Sequence, residues 1–257
     1  CQAVRKLFTE AQRTVQCHQR CSDALRRLLS KHEAAWDEYF MCLTRVLVVG
    51  VKRMPDVDRL VQFVCLAAAS GASRAGNGES SEGSSDDASA LLERTVEFLV
   101  EHSGAADKGV RFRCCQLLAY MTADFTQRPE LEEKDLDRTV ETLLPRLQDK
   151  ASVLSCQAVG ALRPFQFGLE GDEDDEALRE DRVRSKLMSA MMSDSQPQVR
   201  QAALGAVTKT VGMFDQASRR ERGTPALVLR TQDVDERVRK AAFRVLGEDV
   251  RIECNNR

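Results

Sequence analysis

The sequence predicts an all-α protein, a solenoid of right-handed stacked helix pairs, and three observations carry that prediction. A short pattern recurs about every forty residues, apolar residues come at helical spacing through most of the chain, and no run alternates as a strand would. The pattern reads DKGVRFRCC from Asp107, QDKASVLSCQA from Gln148, DSQPQVRQAA from Asp194 and DVDERVRKAA from Asp233. One aligned position falls at Arg111, Leu154, Arg200 and Arg239, separated by 43, 46 and 39 residues. A single helix pair cannot hide its apolar face alone, so a period of this size implies neighbours stacked on one another. Arrays of that kind hold other molecules along an extended surface.

Composition agrees. Of 257 residues, 42% are hydrophobic but only 5% aromatic, so the apolar content rests on Ala, Leu and Val. That favours closely approaching helices over a β-sandwich, which would use alternating β-branched and aromatic residues.

Taken in order, the first helix is expected over residues 2–17, with Val4, Leu7, Phe8, Ala11 and Val15 on one face. A second apolar block covers 34–53, through Tyr39, Phe40, Leu43, Val46, Leu47 and Val49. Pro55 stands at the start of the next helix, where its missing N–H costs nothing, and Val57, Leu60, Val61, Val64 and Leu66 carry that helix to about Ser70. Residues 71–89 are small, polar and of low complexity, which reads as a disordered loop. Helix pairs are then expected at 90–103 with 107–125, 136–148 with 150–163, 177–193 with 197–213, and 223–231 with 234–249. In the second helix of a pair the stripe is Val199, Ala203, Ala206, Val207, Val211 and Phe214, or Val110, Cys114, Leu117, Leu118, Met121 and Phe125. The reading is therefore one array over 1–257, with insertions near 71–89 and 168–176. Since the chain starts on Cys1, it is expected to be a fragment of a longer array.

Net charge is −2, but its distribution is uneven. Residues 170–181 hold eight acids and one Arg, whereas 182–257 hold fifteen Lys or Arg against nine acids. Two basic regions flank the acidic insertions, so an anion-binding face is expected. Nine cysteines sit mostly at apolar helical positions, such as Cys42, Cys65 and Cys156, which reads as a small hydrophobe in a reducing compartment. No stretch of eighteen apolar residues is present to span a membrane.

The recurring Asp and Arg have a structural reading. Asp194 and Asp233 precede their Arg by six residues; an Asp there can cap a helix, and the Arg can pair with acids of its own or an adjacent repeat. Leu154 at the same position shows that one repeat dispenses with the charge.

These are the residues of HEAT repeats. The segments AVRKLFTEAQ, VLVVGVKRMPDVDRLVQFV, GVRFRCCQLLAYM, LLPRLQDKASVLSCQAVGALR, DSQPQVRQAAL and LRTQDVDERVRKAAFRVLGEDV resemble the N-terminal HEAT-repeat part of the condensin subunit 3 family, in order and in spacing. The strings around Lys52 and Arg230 are the particular ones, whereas the Asp–Arg pattern alone says only HEAT. Leu154 departs from the family's usual Arg, and the chain is short of a full subunit. The resemblance implies a role in mitotic chromosome condensation, in the nucleus and on mitotic chromosomes with a cytoplasmic pool. It further implies a non-catalytic subunit that binds a kleisin segment. Subunit and kleisin together would grip double-stranded DNA or chromatin without sequence preference, linked indirectly to SMC subunits that carry the ATPase.

The residues themselves point the same way through basic turns, because equivalent turns line up along one edge of a stacked array and can follow a phosphate backbone. Candidate DNA contacts are Lys52, Arg53, Arg111, Arg113, Arg230, Arg237, Arg239 and Lys240, with Arg219, Arg220 and Arg222 in a nearby loop. Each taken singly also fits a solvated charged face. Two further function classes stay open: a pure protein scaffold without direct DNA contact, and a transport adaptor. Ser80, Ser81, Ser84 and Ser85 lie in an acidic tract suited to phosphorylation by acidophilic kinases.

Catalysis is not expected. Only His18, His32 and His102 occur, no Gly-rich phosphate cradle is present, and no cofactor or small-molecule substrate is implied. Cys17 and Cys21 lack a second ligand pair for zinc and would share a helix face. The acids Asp172–Glu176 are adjacent rather than convergent and read as a solvated loop.

Overall fold

The computed structural model describes residues 2–49, 51, 54–69, 84–122, 133–166, 173–211 and 224–255. Among them there are helices and turns but no strand, so the chain is all-α as its periodicity implies. It divides into two compact units, Cys1–Thr142 and Leu143–Arg257.

The first unit carries α1 (Gln2–Arg13), α2 (His18–Lys31), α3 (Ala34–Leu47), α4 (Pro55–Ala69), α5 (Ser84–His102), α6 (Lys108–Met121) and α7 (Glu133–Leu143). Val4, Phe8 and Ala11 bury one face of α1. The helix expected over 2–17 stops at Arg13, because Thr14 is extended (φ −152°, ψ 143°) and its hydroxyl accepts the Gln16 N–H. A short 3-10 turn follows, and α2 is a separate helix that the periodicity alone does not separate from its neighbours. Its Cys21, Leu25 and Leu29 are buried, and the Arg26 guanidinium donates to the Ala67 carbonyl at the end of α4 at 3.2 Å. Such a contact supplies a donor to a carbonyl that a helix end leaves unmatched.

α4 is the central helix of this unit, packed on α1, α2, α5 and α6 through Val57, Val61, Phe63, Val64, Ala67 and Ala68. Few aromatics occur, yet several of them meet here. Tyr39 on α3 lies 6.0 Å from Phe8 and 5.3 Å from Phe40; Phe63 lies 5.3 Å from Phe8; Phe40 stacks on Phe98 at 4.8 Å. The buried Tyr39 hydroxyl pairs with the Thr95 hydroxyl at 2.9 Å, so its polar tip is satisfied.

The second unit carries α8 (Ser152–Leu162), α9 (Glu173–Ser193), α10 (Pro197–Val211), α11 (Thr224–Arg230) and α12 (Glu236–Asn255). α10 packs on α8, α9 and α12. Val183, Leu187 and Met191 form the buried stripe of α9, while Val199, Ala203, Ala206 and Val207 form that of α10. Small residues on α10 let its neighbours approach closely.

The helix starts beside the two insertions also differ from expectation. α5 begins at Ser84 rather than near 90, and α9 begins at Glu173 rather than 177, so part of each acidic or polar insertion is helical. Ser and acidic residues are favoured at helix starts, where the N–H groups and the positive end of the dipole lie. The remainder of both insertions, 71–83 and 168–172, lies outside the described residues.

Candidate nucleic-acid interface

In three of the four repeats that carry the pattern, the turn inside the helix pair is closed by the repeat's own arginine. Arg111 Nη1 donates to the carbonyls of Ala105 and Ala106 at 3.0 and 2.7 Å. Arg200 Nη1 does the same to Asp194 and Ser195 at 2.8 and 3.3 Å, and Arg239 Nη1 to Asp233 and Val234 at 2.8 and 3.0 Å. In all three the acceptors lie six and five residues earlier, which is the physical content of the forty-residue pattern. Where Leu154 replaces the arginine, the Ser155 hydroxyl donates to the Asp149 carbonyl at 3.3 Å and the Asp149 carboxylate accepts the Ala151 N–H at 3.0 Å.

The aspartates of the pattern play unequal parts. Asp107 caps α6, accepting from Gly109 and Val110 N–H at 2.7 and 3.0 Å. Asp194 accepts the Gln196 N–H. Asp233 is buried and serves as a junction: Arg200 grips both carboxylate oxygens, Arg230 Nη1 reaches Oδ2 at 2.9 Å, and the Asp235 N–H reaches Oδ1. The Arg200 hydrogen bonds hold the Asp233 carboxyl below the usual carboxylate range, and the same contact raises Arg200.

The sequence-derived DNA candidates fall in different surroundings. Lys52 and Arg53 lie outside the described residues, as do Arg219, Arg220 and Arg222. Arg113 points inward: it is 1% exposed, its Nη1 donates to Gln116 Oε1 at 2.6 Å, and its guanidinium carbon lies 5.3 Å from the Phe112 ring centroid. Burial pulls this guanidinium below its ordinary value, and the nearby Asp58 acts against that. Arg111 and Arg239 are the turn closures above, and Arg230 is committed to Asp233. Arg237 and Lys240 are exposed on α12, but Arg237 Nη2 meets Asp235 at 2.9 Å and Lys240 Nζ meets Glu236 at 2.6 Å. The Arg237 hydrogen bond takes the Asp235 carboxyl down to about 2.

Arg244, absent from the sequence-derived candidates, is exposed on α12. It follows Arg237 and Lys240 at spacings of seven and four, so the three share one helix face. The i, i+3, i+7 spacing of these cations is visible in the sequence and is the signal that finds it.

Ser80 and Ser81 lie outside the described residues, and Ser84 and Ser85 open α5. Cys17 donates to the Glu10 and Thr14 carbonyls, and Cys21 to the Glu10 carboxylate at 3.7 Å; burial, then Cys17, pushes the Cys21 thiol up to about 11. Among the described residues no three His, Cys, Asp or Glu side chains converge as metal ligands, and no helix is long and apolar enough to cross a membrane.

No protein-family model matches the chain. Condensin complex subunit 3 of Xenopus laevis is 27% identical over 251 residues, which cover 97% of this chain and 22% of that protein. The Homo sapiens protein of the same name is 27% identical over 252 residues, covering 97% of this chain and 23% of its own length. In Schizosaccharomyces pombe the match is 27% over 153 residues, or 60% of this chain. The chain thus spans less than a quarter of the curated relatives it matches. In fold it is similar to a chain of the crystal structure of the S. pombe condensin Cnd3–Cnd2 subcomplex, with a TM-score of 0.58 at 18% identity over 95% of this chain and 32% of that one. A designed armadillo repeat protein in complex with the peptide (KR)4 gives a TM-score of 0.51 at 16% identity, covering 96% of this chain and 97% of that one. Over nearly its whole length, the chain is similar to condensin complex subunit 3, and its fold is that of HEAT- and armadillo-type helical repeats.

Proposed function

We propose that the chain acts as a non-catalytic helical-repeat part of a condensin complex, holding an extended kleisin segment and contacting double-stranded DNA without sequence preference. The observation that carries this reading is the 27% identity to condensin complex subunit 3 across 97% of the chain. In the S. pombe subcomplex Cnd3 is paired with Cnd2, and that pairing supports the kleisin part. Association with nuclear and mitotic chromatin and indirect linkage to SMC subunits follow from the same reading.

Exposed Arg237, Lys240 and Arg244 on one face of α12 support the DNA part, since phosphate contacts need only placed positive charge. Duplex binding by the purified chain with its kleisin, measured against salt, tests it. Binding that weakens as salt rises and ignores base sequence is expected; salt-independent or absent binding would overturn the DNA reading. A second reading, the pure scaffold, is favoured by one specific observation: Arg111, Arg230, Arg237, Arg239 and Lys240 all have partners within the chain. Kleisin capture without any DNA affinity in the binary complex would select it.

A further inference from the structure

The repeat aligns α10 with α12 at an offset of 39 residues, so that Gln198, Gln201 and Gly205 correspond to Arg237, Lys240 and Arg244. Each set is spaced to lie on one helix face, away from the buried Val199 and Ala203 of α10 and the buried Val238 and Ala242 of α12. The two helices pack on each other, and stacked repeats turn equivalent faces the same way. One contact shows that alignment directly. Gln198 Nε2 donates to Ser152 Oγ of α8 at 3.3 Å, and both residues stand two before the aligned position of their repeat. Gln198 and Gln201 are exposed, Gly205 is half-buried, and α10 contains no acid. A glycine weakens a helix interior relative to alanine. A Cβ at Gly205 would meet no atom within 4 Å, so packing does not ask for glycine there. What the glycine provides is bare backbone on this face, where an outside partner can come close.

The chemistry of the combined face selects its partner. Among the described residues α10 exposes no large hydrophobic side chain. Phe243 is exposed on α12, but it corresponds to the buried Leu204 and so belongs to the stacking side. A docked peptide needs apolar anchors, and this face offers none. A phosphodiester backbone needs only placed positive charge and hydrogen-bond donors, and glutamine amides are among the side chains that reach phosphate oxygens. Arg237 and Lys240 pair with Asp235 and Glu236, yet the two cations are 64% and 71% exposed, and exposed pairs are weak enough to give way. Gln201, Gly205 and Arg244 make the case without them. We propose that the α10 face bearing Gln198, Gln201 and Gly205 continues the cation face of α12 as one phosphate track, with Gly205 the point at which a duplex backbone comes closest to α10. The proposal deepens the DNA reading above and rests on it.

The test measures duplex affinity against salt for the full chain with purified kleisin. Gly205→Arg is expected to tighten binding and to steepen the salt slope by about 0.9 unit, the value of one added phosphate contact. Gly205→Glu is expected to weaken binding by about tenfold, because it sets like charge against the phosphates. A side chain has room at this position, so a thermal melt is expected to show both variants folded. Ser189→Arg, at an exposed position of α9, adds the same charge elsewhere and is expected to leave the slope unchanged. Gly205 variants that bind duplex like wild type, or a Ser189→Arg effect as large as that of Gly205→Arg, would overturn the track while leaving the DNA reading intact. Loss of kleisin rather than duplex binding in Gly205→Glu would overturn it too, and would mark a peptide surface instead. Wild-type complex that binds no duplex at all would overturn both.

Discussion

Arg200 and Asp233 meet side-on, with Nε 2.9 Å from Oδ2 and Nη2 2.6 Å from Oδ1, and both side chains are buried. The arginine belongs to α10 and the aspartate to the turn before α12, so the pair ties one repeat to the next. Asp233→Ala would leave two arginines facing a buried vacancy and is expected to cost about 3 to 5 kcal/mol, the range for breaking a buried pair from one side. Replacing both partners with apolar residues, as in Arg200→Met with Asp233→Leu, should cost clearly less. Urea unfolding of the three proteins checks the order.

The same pair sets an acid limit. The Asp233 carboxyl titrates below its ordinary value in the folded chain, so its contribution is complete above the unfolded value of about 3.9 and is lost as pH falls through the folded one. The gap in Tm between wild type and Asp233→Asn should therefore be steady near neutrality and narrow below about pH 4. A gap that widens on acidification would contradict the assignment.

Arg239 and Arg244 separate scaffold from surface. Arg239→Ala removes two hydrogen bonds from a charged donor and is expected to cost about 1 to 3 kcal/mol while leaving any duplex salt slope unchanged. Lys240→Ala combined with Arg244→Ala should leave stability nearly unchanged and lower that slope by about 1 to 2 units. Titrating duplex at several salt concentrations beside a melt distinguishes them.

Asp235 restrains Arg237, and removing its charge should release the guanidinium. Asp235→Asn is expected to strengthen duplex binding and steepen its salt dependence. The asparagine still accepts the Arg237 N–H that Asp235 accepts at 2.9 Å, so helix capping largely survives. Equal affinity in the two proteins would mean that Arg237 makes no contact.

Tyr39→Phe deletes the hydroxyl that pairs with Thr95 in the first unit and is expected to cost about 1 kcal/mol. Thr95→Val in the same background should add little, because the partner is already lost. A double-mutant cycle by chemical unfolding measures the coupling.

The helix pairs were legible because Val199, Ala203 and Val207 repeat at helical spacing, and Pro55 and Pro197 mark helix starts. The break at Thr14 was not, since one extended residue between two apolar stripes leaves the periodicity nearly intact. The recurring arginines were legible as scaffold, but as partners of acids; a sequence does not show the carbonyls that Arg111 and Arg239 hold. Arg113 looked like a surface charge for a related reason: its burial depends on α4, which is remote from it in sequence. Asp58 and Gln62 of α4 line one crevice with Arg113 and Tyr120 of α6, yet they share no local motif, so only the fold brings them together.

Arg111, Arg200 and Arg239 each close the turn of their own helix pair with a guanidinium from inside that pair. Turns inside pairs are short, at 103–107, 149–151, 194–196 and 231–235. An evolving or engineered chain therefore has little freedom to lengthen an arginine-closed corner, because its carbonyls must stay five and six residues ahead of the guanidinium that holds them.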